Sequence, residues 1–438
     1  MDLEKRYEEA YKKLLYVGEE RRKRKAGMAM GCTSNLDLLC EFDAERLNRL
    51  LEQHLQGEKL ADMKTVPLIQ NIQDLLRTIV YYCVRGIGGE ADVSDVELVK
   101  TCFDCREGMG GTAVQAALAL AGLHCDSVVH LTDDSREVCR LLESPFVYTI
   151  SEEEQAVHTD QIKQTQEQEV HCIVQFQKGS VIRLGEEKVE IPCSNRLILT
   201  KITVNASVPL SKKYLKWVEE HATYIKSNVI SSLNAILDRD VLKQRLKELE
   251  QHIQRYRENN PEGIVFFEDA HYHDDEVRKL CLETLYSFVD IVSLNEEELK
   301  YTLEEMYDFR VEIENIKSCV EGARFIRKKL GLQKGVIIHT KDYSMYVGEE
   351  LKADIEKGLM YGNMLATAKA YHGWYGTKET VEEILKFPLS PKGLEHYRTI
   401  EEGKYAEKVV LVPSKYMDKP RYTIGLGDSF VGGVQLCF

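Results

Sequence analysis

Near its end the chain reads "RYTIGLGDSFVGG", from Arg421 to Gly433. Glycines at 425 and 427 let a backbone approach a ligand closely and aim its amides outward, with only Leu426 between them. The following "DSFVGGVQL" begins a helix, so free N–H groups meet the positive end of a helix dipole, an arrangement suited to phosphate. Asp428, in the first helical turn, can accept a proton from an attacking hydroxyl. A G-x-G-D string by itself also fits a plain turn before a capped helix. Two other segment ends add weight, because Glu268 and Asp269 follow "IVFF" and Asn295 and Glu298 follow "DIVSL". A single acidic residue after a strand is commonly an N-cap, and the Asn295/Glu298 spacing also fits a capping box. Three acidic strand ends at one edge of a sheet repel unless a cation joins them, and hard oxygen ligands suit Mg2+.

The N-terminal half offers polar groups of another kind. Asn35 and Asp37 follow the first apolar run, and Gly110-Gly111 opens a helix in "GMGGTAVQAALALAGLHC". A carboxylate, a side-chain amide and bare backbone suit the several hydroxyls of a sugar, although a cap and a turn fit the same spacing. His171 in "EVHCIV", Lys178 and Arg196 in "CSNRLIL" are candidates for the same cleft; each taken singly is as well read as a surface or strand-edge residue. Cys102 and Cys105 have C-x-x-C spacing but no second pair, which argues against zinc. His271-Tyr272-His273-Asp274-Asp275 reads as the start of a solvated helix.

Positioning these groups requires a scaffold, and the pattern supplies one. "KAGMAMGCTSNLDLLCEF" reads as a buried strand ending in a polar loop at Thr33–Asp37. From Glu169 to Thr200 the residues alternate, which predicts antiparallel strands joined by turns at Lys178-Gly179 and Gly185-Glu186-Glu187. From Lys213 onward, short apolar runs alternate with amphipathic helices, the signature of a parallel sheet covered on both faces. Ligands of such sheets bind at the carboxyl ends of the strands. The antiparallel section then reads as an inserted lobe.

Bulk properties exclude some classes. The 438 residues carry a formal net charge of −14, which repels nucleic acid and anionic membranes. No stretch is long and apolar enough to span a bilayer. Twelve scattered cysteines and a charged amphipathic first helix, without a signal peptide's apolar core, predict a reducing, cytoplasmic setting. The role of that first helix, spanning about residues 1–25, is open.

The motifs together resemble the ADP-dependent sugar kinases, the glucokinases and phosphofructokinases of the ribokinase superfamily. The resemblance runs over most of the chain, through "NLDLL", "GMGGTAVQAALAL", "VHCIVQFQKG", "CSNRLIL", "VSLNEEEL", "VIIHTKDYSMYVG" and "VPSKYMDKPRYTIGLGDSF". It implies a ribokinase-like three-layer α/β/α sandwich, with a core of roughly 1–36, 106–165 and 207–438. A small β-rich lid would occupy parts of 37–105 and 166–206. It implies transfer of the β-phosphoryl of ADP to glucose or fructose 6-phosphate with Mg2+, leaving AMP, in carbohydrate metabolism. Asp428 matches the family's base, and Gly425, Leu426 and Gly427 its anion hole. Asn295 and Glu298 match its N-x-x-E motif, and Glu268 the glutamate of H-x-E, with Phe266 in place of the histidine. Asn35, Asp37, Gly110 and Gly111 match sugar contacts, with Thr112 where many members have glutamine; His339, Thr340 and Tyr343 fall in the nucleotide region. Glu90, in "GIGGEADV", stands where a glutamate favours glucose, whereas Arg196 and Lys178 would suit a sugar phosphate. An ATP-dependent kinase of the same superfamily, acting on another sugar or a nucleoside, and a silent sugar or nucleotide sensor are the alternatives.

Overall fold

The computed structural model describes residues 3–272, 274–417 and 419–438. Met1, Asp2 and His273 of the His271–Asp275 segment thus lie outside the described residues.

The apolar runs of the C-terminal half lie side by side in one ten-stranded sheet. Its order is Lys408–Pro413, Tyr343–Gly348, Gly335–His339, Ile291–Asn295, Ile264–Glu268, Ile225–Ile230, Gly27–Met30, Ser127–Val129, Val147–Ile150 and Ala156–His158. Neighbours from Gly335–His339 to Val147–Ile150 are parallel, and antiparallel strands close both edges. These central strands are apolar on both faces because each face is covered: Ile264–Glu268 is buried at every position. One face packs on helices Leu3–Leu14, Thr112–Ala121, Ile355–His372 and Leu426–Gln435, and the other on helices Lys212–Glu220, Arg239–Asn259, Asp275–Leu285 and Ile316–Leu330. The result is a three-layer α/β/α sandwich.

A second, six-stranded sheet stands over the carboxyl ends of these strands. Its order is Leu68–Ile69, Gly89–Val93, Asn195–Lys201, Val170–Phe176, Asn35–Cys40 and Cys105–Gly110. Two sequence expectations are corrected here. Asn35–Asp37 is not a loop but opens the lid strand Asn35–Cys40: Leu36 and Leu38 are buried, while Asn35, Asp37 and Leu39 take the opposite face. The alternation after Glu169 does not form a simple meander. Val170–Phe176 pairs with Asn195–Lys201, and Val181–Leu184 with Glu187–Glu190 forms a separate hairpin. The Lys178-Gly179 turn therefore connects strands that do not pair.

The N-terminal segment packs on the sandwich. It forms helices Leu3–Leu14 and Val17–Lys23. Buried Tyr7 donates its hydroxyl to the Pro413 carbonyl at 2.7 Å, and Arg21 Nη1 donates to the Phe438 carbonyl at 2.8 Å. The Tyr7 contact ties the first helix to the end of strand Lys408–Pro413, and the Arg21 contact holds the residues that follow the final helix, Leu426–Gln435. Along its length that helix touches Ile355–His372 backbone to backbone: a Cβ on Gly433 would stand 2.5 Å from the Gly362 amide nitrogen. The G-x-G-D turn is thus held by the core and does not fray.

Candidate active site

Gly425 caps the final helix with φ 67°, the left-handed region, and no side chain bonds the first amides. A Cβ there would meet Gln115 Oε1 at 2.1 Å and Lys369 Nζ at 2.4 Å, so only glycine fits. Gly427 differs, since a Cβ would meet only His339 Cε1, at 3.5 Å. Its open side faces a cavity.

The turn divides two cavities. One, of about 360 Å3, lies between lid and sandwich. It is lined by Asn35, Asp37, Glu90, Gly110, Gly111, His171 and Arg196, all expected from sequence, and by Gly425 and Asp428. Thr112, Gln115, Asp92, Glu169 and Asn205 also line it. Lys178 does not; it lies exposed in the lid turn, its amide bonded to Ser194 Oγ at 2.8 Å. The other cavity, of about 440 Å3, is lined by Leu426, Gly427, Asn295, His339, Thr340, Lys341, Thr367 and Phe430, among others. Tyr343 is not part of it. Its ring is buried against the sandwich core with the hydroxyl 4.0 Å from Cys319 Sγ, because Tyr343 opens a strand whose first side chain turns inward.

In the first cavity, Asn35 Nδ2 donates to Asp37 Oδ1 at 2.7 Å, and Gly110 leaves these side chains room. Burial pushes the Asp37 carboxyl up to about 6, against the pull of His171 and Asn35. His171 stands 3.5 Å from Glu169 and 4.0 Å from Asp37. Burial pulls its imidazole down, but Glu169 and Asp37 outweigh this and leave it above its ordinary value. Asp428 is half-buried at the cleft wall, and this burial raises its carboxyl; Lys369, a hydrogen bond from Thr112, His339 and Arg196 oppose the rise.

Behind the turn, three carboxylates at two strand ends divide their work. Asp269 is committed to structure, pairing with buried Arg278 at 3.0 Å and accepting from Tyr286 at 2.9 Å. Asn295 and Glu298 form a full capping box: Asn295 Oδ1 accepts from the Glu297 and Glu298 amides, and Glu298 Oε2 from the Asn295 amide. Burial, then Asp269 and Glu268, raises the Glu298 carboxyl to about 7. Glu268 Oε1 bonds His339 Nε2 at 3.0 Å, and its Oε2 is buried without a partner. Burial raises this carboxyl too, against His339.

Gln115 and Lys369 are functional candidates that motif reading missed. Gln115 sits one helical turn after Thr112 and points to the same cleft, a spacing of three that the helix period could have shown. Lys369, within the helix Ile355–His372, carries no local signal.

The region described as the ADP-specific Phosphofructokinase/Glucokinase conserved region matches residues 26–433. The chain belongs to that family. As a member of it, the chain is an ADP-dependent sugar kinase, a phosphotransferase with an alcohol acceptor. Among family members, it is 24% identical to the ADP-dependent glucose/glucosamine kinase of Pyrococcus abyssi, over 98% of this chain and 97% of that protein. It is also 24% identical to the ADP-specific phosphofructokinase of Pyrococcus furiosus, over 95% of this chain and 97% of that one. A structure of the last common ancestor of ADP-dependent phosphofructokinases from Methanosarcinales superposes with a TM-score of 0.80 at 21% identity, covering 100% of this chain and 98% of that one. An ADP-dependent kinase in complex with fructose-6-phosphate and ADPβS gives 0.75 at 20%, with the same coverage of both chains. The family fold is therefore that of this chain. Among the described residues, no helix is long and apolar enough to cross a membrane.

Proposed function

We propose that the chain transfers the β-phosphoryl of ADP to a hydroxyl of an unphosphorylated hexose of the glucose class. One observation carries this reading: the Gly425–Asp428 turn forms a wall of both cavities, with Asp428 on the side of the polar lid cleft and Gly427 on the other. An acceptor hydroxyl beside Asp428 and a donor phosphate over Gly427 then meet across the turn in line.

Asp428 accepts the hydroxyl proton as the oxygen attacks. The amides at the start of the final helix face the transferring phosphoryl and stabilise its charge without having to reorganise. Asn35, Asp37 and His171 orient the remaining hydroxyls. Closure of the lid over the cleft keeps water from competing for the donor.

The acceptor choice follows from charge. Asp37, Glu90, Asp92, Glu169 and Asp428 line the acceptor cleft, against Arg196 and His171, while Lys178 lies elsewhere. A second phosphate entering there meets repulsion, and a neutral sugar meets acceptors for its hydroxyls. Arg196 is the feature that favours fructose 6-phosphate.

The residues fit Mg2+. Glu268 offers an unpartnered buried oxygen, and Glu298 is held nearby with one oxygen engaged in its cap. Among the described residues no group of three or more His, Cys, Asp or Glu side chains stands together to hold a metal ion by itself. Glu268 and Glu298 would therefore share the cation with waters and donor phosphates. When bound, it would screen the charge of those phosphates.

A matrix of ADP and ATP against glucose, glucosamine and fructose 6-phosphate tests the proposal. AMP formation with ADP and glucose is expected to exceed that with fructose 6-phosphate. A reversed acceptor order overturns the acceptor assignment, and exclusive use of ATP overturns the donor.

A further inference from the structure

Lys369 is a lysine where none is expected. It lies near the C-terminus of the long buried helix Ile355–His372, and only 6% of it is exposed. Fully buried lysines are rare unless paired. Yet, among the described residues, no carboxylate comes within ion-pair distance of this ammonium. Its hydrogen-bond partner is neutral: Nζ donates to Gln115 Oε1 at 2.7 Å, an oxygen that also accepts from the Tyr375 hydroxyl at 3.2 Å. The ammonium stands 4.1 Å from the centre of the Tyr375 ring. The same atom would lie 2.4 Å from a Cβ on Gly425, so it sits directly behind the phosphate turn. An ammonium fixed by uncharged partners costs desolvation that those partners alone do not recover. Burial lowers this ammonium to about 8, and the carboxylates across the turn, Asp428 first and Asp37 second, pull the other way and favour its charge.

We propose that Lys369 is a positioning residue for phosphoryl transfer, whose core-anchored ammonium keeps Asp428 ionised and ready to take the acceptor's proton. The inference rests on Asp428 being the base. The groups facing Asp428 are Lys369 from the long helix, Thr112 from the glycine-opened helix, His339 and Glu268 from the sheet, Arg196 and Asp37 from the lid, and the Tyr375 phenol. Glu268 and Asp37 disfavour its charge. Among the favourable charges Lys369 acts most strongly. His339 is engaged with Glu268, and Arg196 is exposed on the lid. Lys369 alone among these cations is anchored in the core immediately beneath the turn.

The test is the pH dependence of kcat/KM for the sugar, at saturating ADP and Mg2+, in Lys369→Met. Removing the charge is expected to move the acid limb up by about one pH unit or more. Activity then falls about tenfold or more at low pH and recovers as pH rises. Lys369→Gln, which keeps a donor for Gln115, is expected to show the same displaced limb, and it carries the test should the methionine variant not fold. Lys369→Arg is expected to restore the limb. A loss equal at every pH, or a glutamine variant with the parental limb, overturns the proposal. Asp428→Asn is assayed alongside: an active enzyme there removes the base assignment itself, whereas an inactive one beside an unmoved limb removes only the role of Lys369.

Discussion

His339 Nε2 and Glu268 Oε1 meet at 3.0 Å, although the strands that carry them are separated in the sheet by Ile291–Asn295. Both side chains project at the carboxyl ends, where the acidic strand tips converge. Phe266, two residues before Glu268, is fully buried. An imidazole thus bonds Glu268 from a different strand and not from position 266. Partners that orient a metal-binding carboxylate typically contribute about 10–100-fold in affinity or activity. Replacing His339 by Gln is expected to raise the Mg2+ concentration needed for half-maximal rate by about that factor. A titration of rate against free Mg2+ that does not move removes this role.

The two glycines of the turn should answer differently to alanine. Gly427 has open space beside it, on the donor side, whereas Gly425 has neither the space nor the backbone angle. Gly427→Ala is expected to fold with unchanged or higher melting temperature, since alanine favours a helix by up to about 1 kcal/mol. Its kcat/KM for ADP should fall by about tenfold to a hundredfold, because the donor is pushed from alignment. Gly425→Ala should lower the melting temperature. Thermal melts and ADP kinetics on both variants check the contrast.

Asp37 gives a pH prediction of definite sign. Its buried carboxyl titrates at about 6, above its ordinary value. A carboxyl raised by folding contributes stability below its unfolded value, and that contribution is lost as pH rises through about 6. Asp37→Asn should therefore gain melting temperature relative to the parent as pH increases from about 4 to about 6, with the difference levelling off above that window. The same variant should bind sugar more weakly, and parental KM for sugar should rise as pH falls below about 6. A melting-temperature difference that shrinks with rising pH contradicts the sign.

Tyr7 tests whether the first helix serves the fold alone. Its hydroxyl donates to the Pro413 carbonyl at 2.7 Å and accepts from Asn363 Nδ2 at 3.2 Å in a buried setting. Tyr7→Phe is expected to cost about 1–3 kcal/mol of stability with turnover unchanged at low temperature. Urea unfolding and a rate assay measure both.

Legibility in the sequence followed the range of the interactions. Strand ends with carboxylates and a glycine turn are local patterns, and the parallel sheet and the placing of Asp428, Glu268 and the cleft-lining Asn35 and Asp37 could all be read from them. The lid strand Asn35–Cys40 was hidden because its polar face points into a cleft, so its alternation resembles a loop. Tyr343 lies off the donor cavity because a strand's first residue faces either side, and only packing decides which. Charge alone suggests Lys178 for the cleft, but its turn links strands that do not pair. Lys369 shows the deepest limit, since the partners that give it meaning lie 254 residues away at Gln115 and on the opposite wall at Asp428.

The central claim, that the carboxylate at the divide between two cavities is the base, is tested most directly by single-turnover AMP formation from ADP and glucose in Asp428→Asn. Removal of a general base is worth about 10²–10⁴-fold, so the chemical step should slow by that factor while ADP and sugar still bind and the protein melts no lower than the parent. A chemical step in that variant within about tenfold of the parental rate would contradict the account.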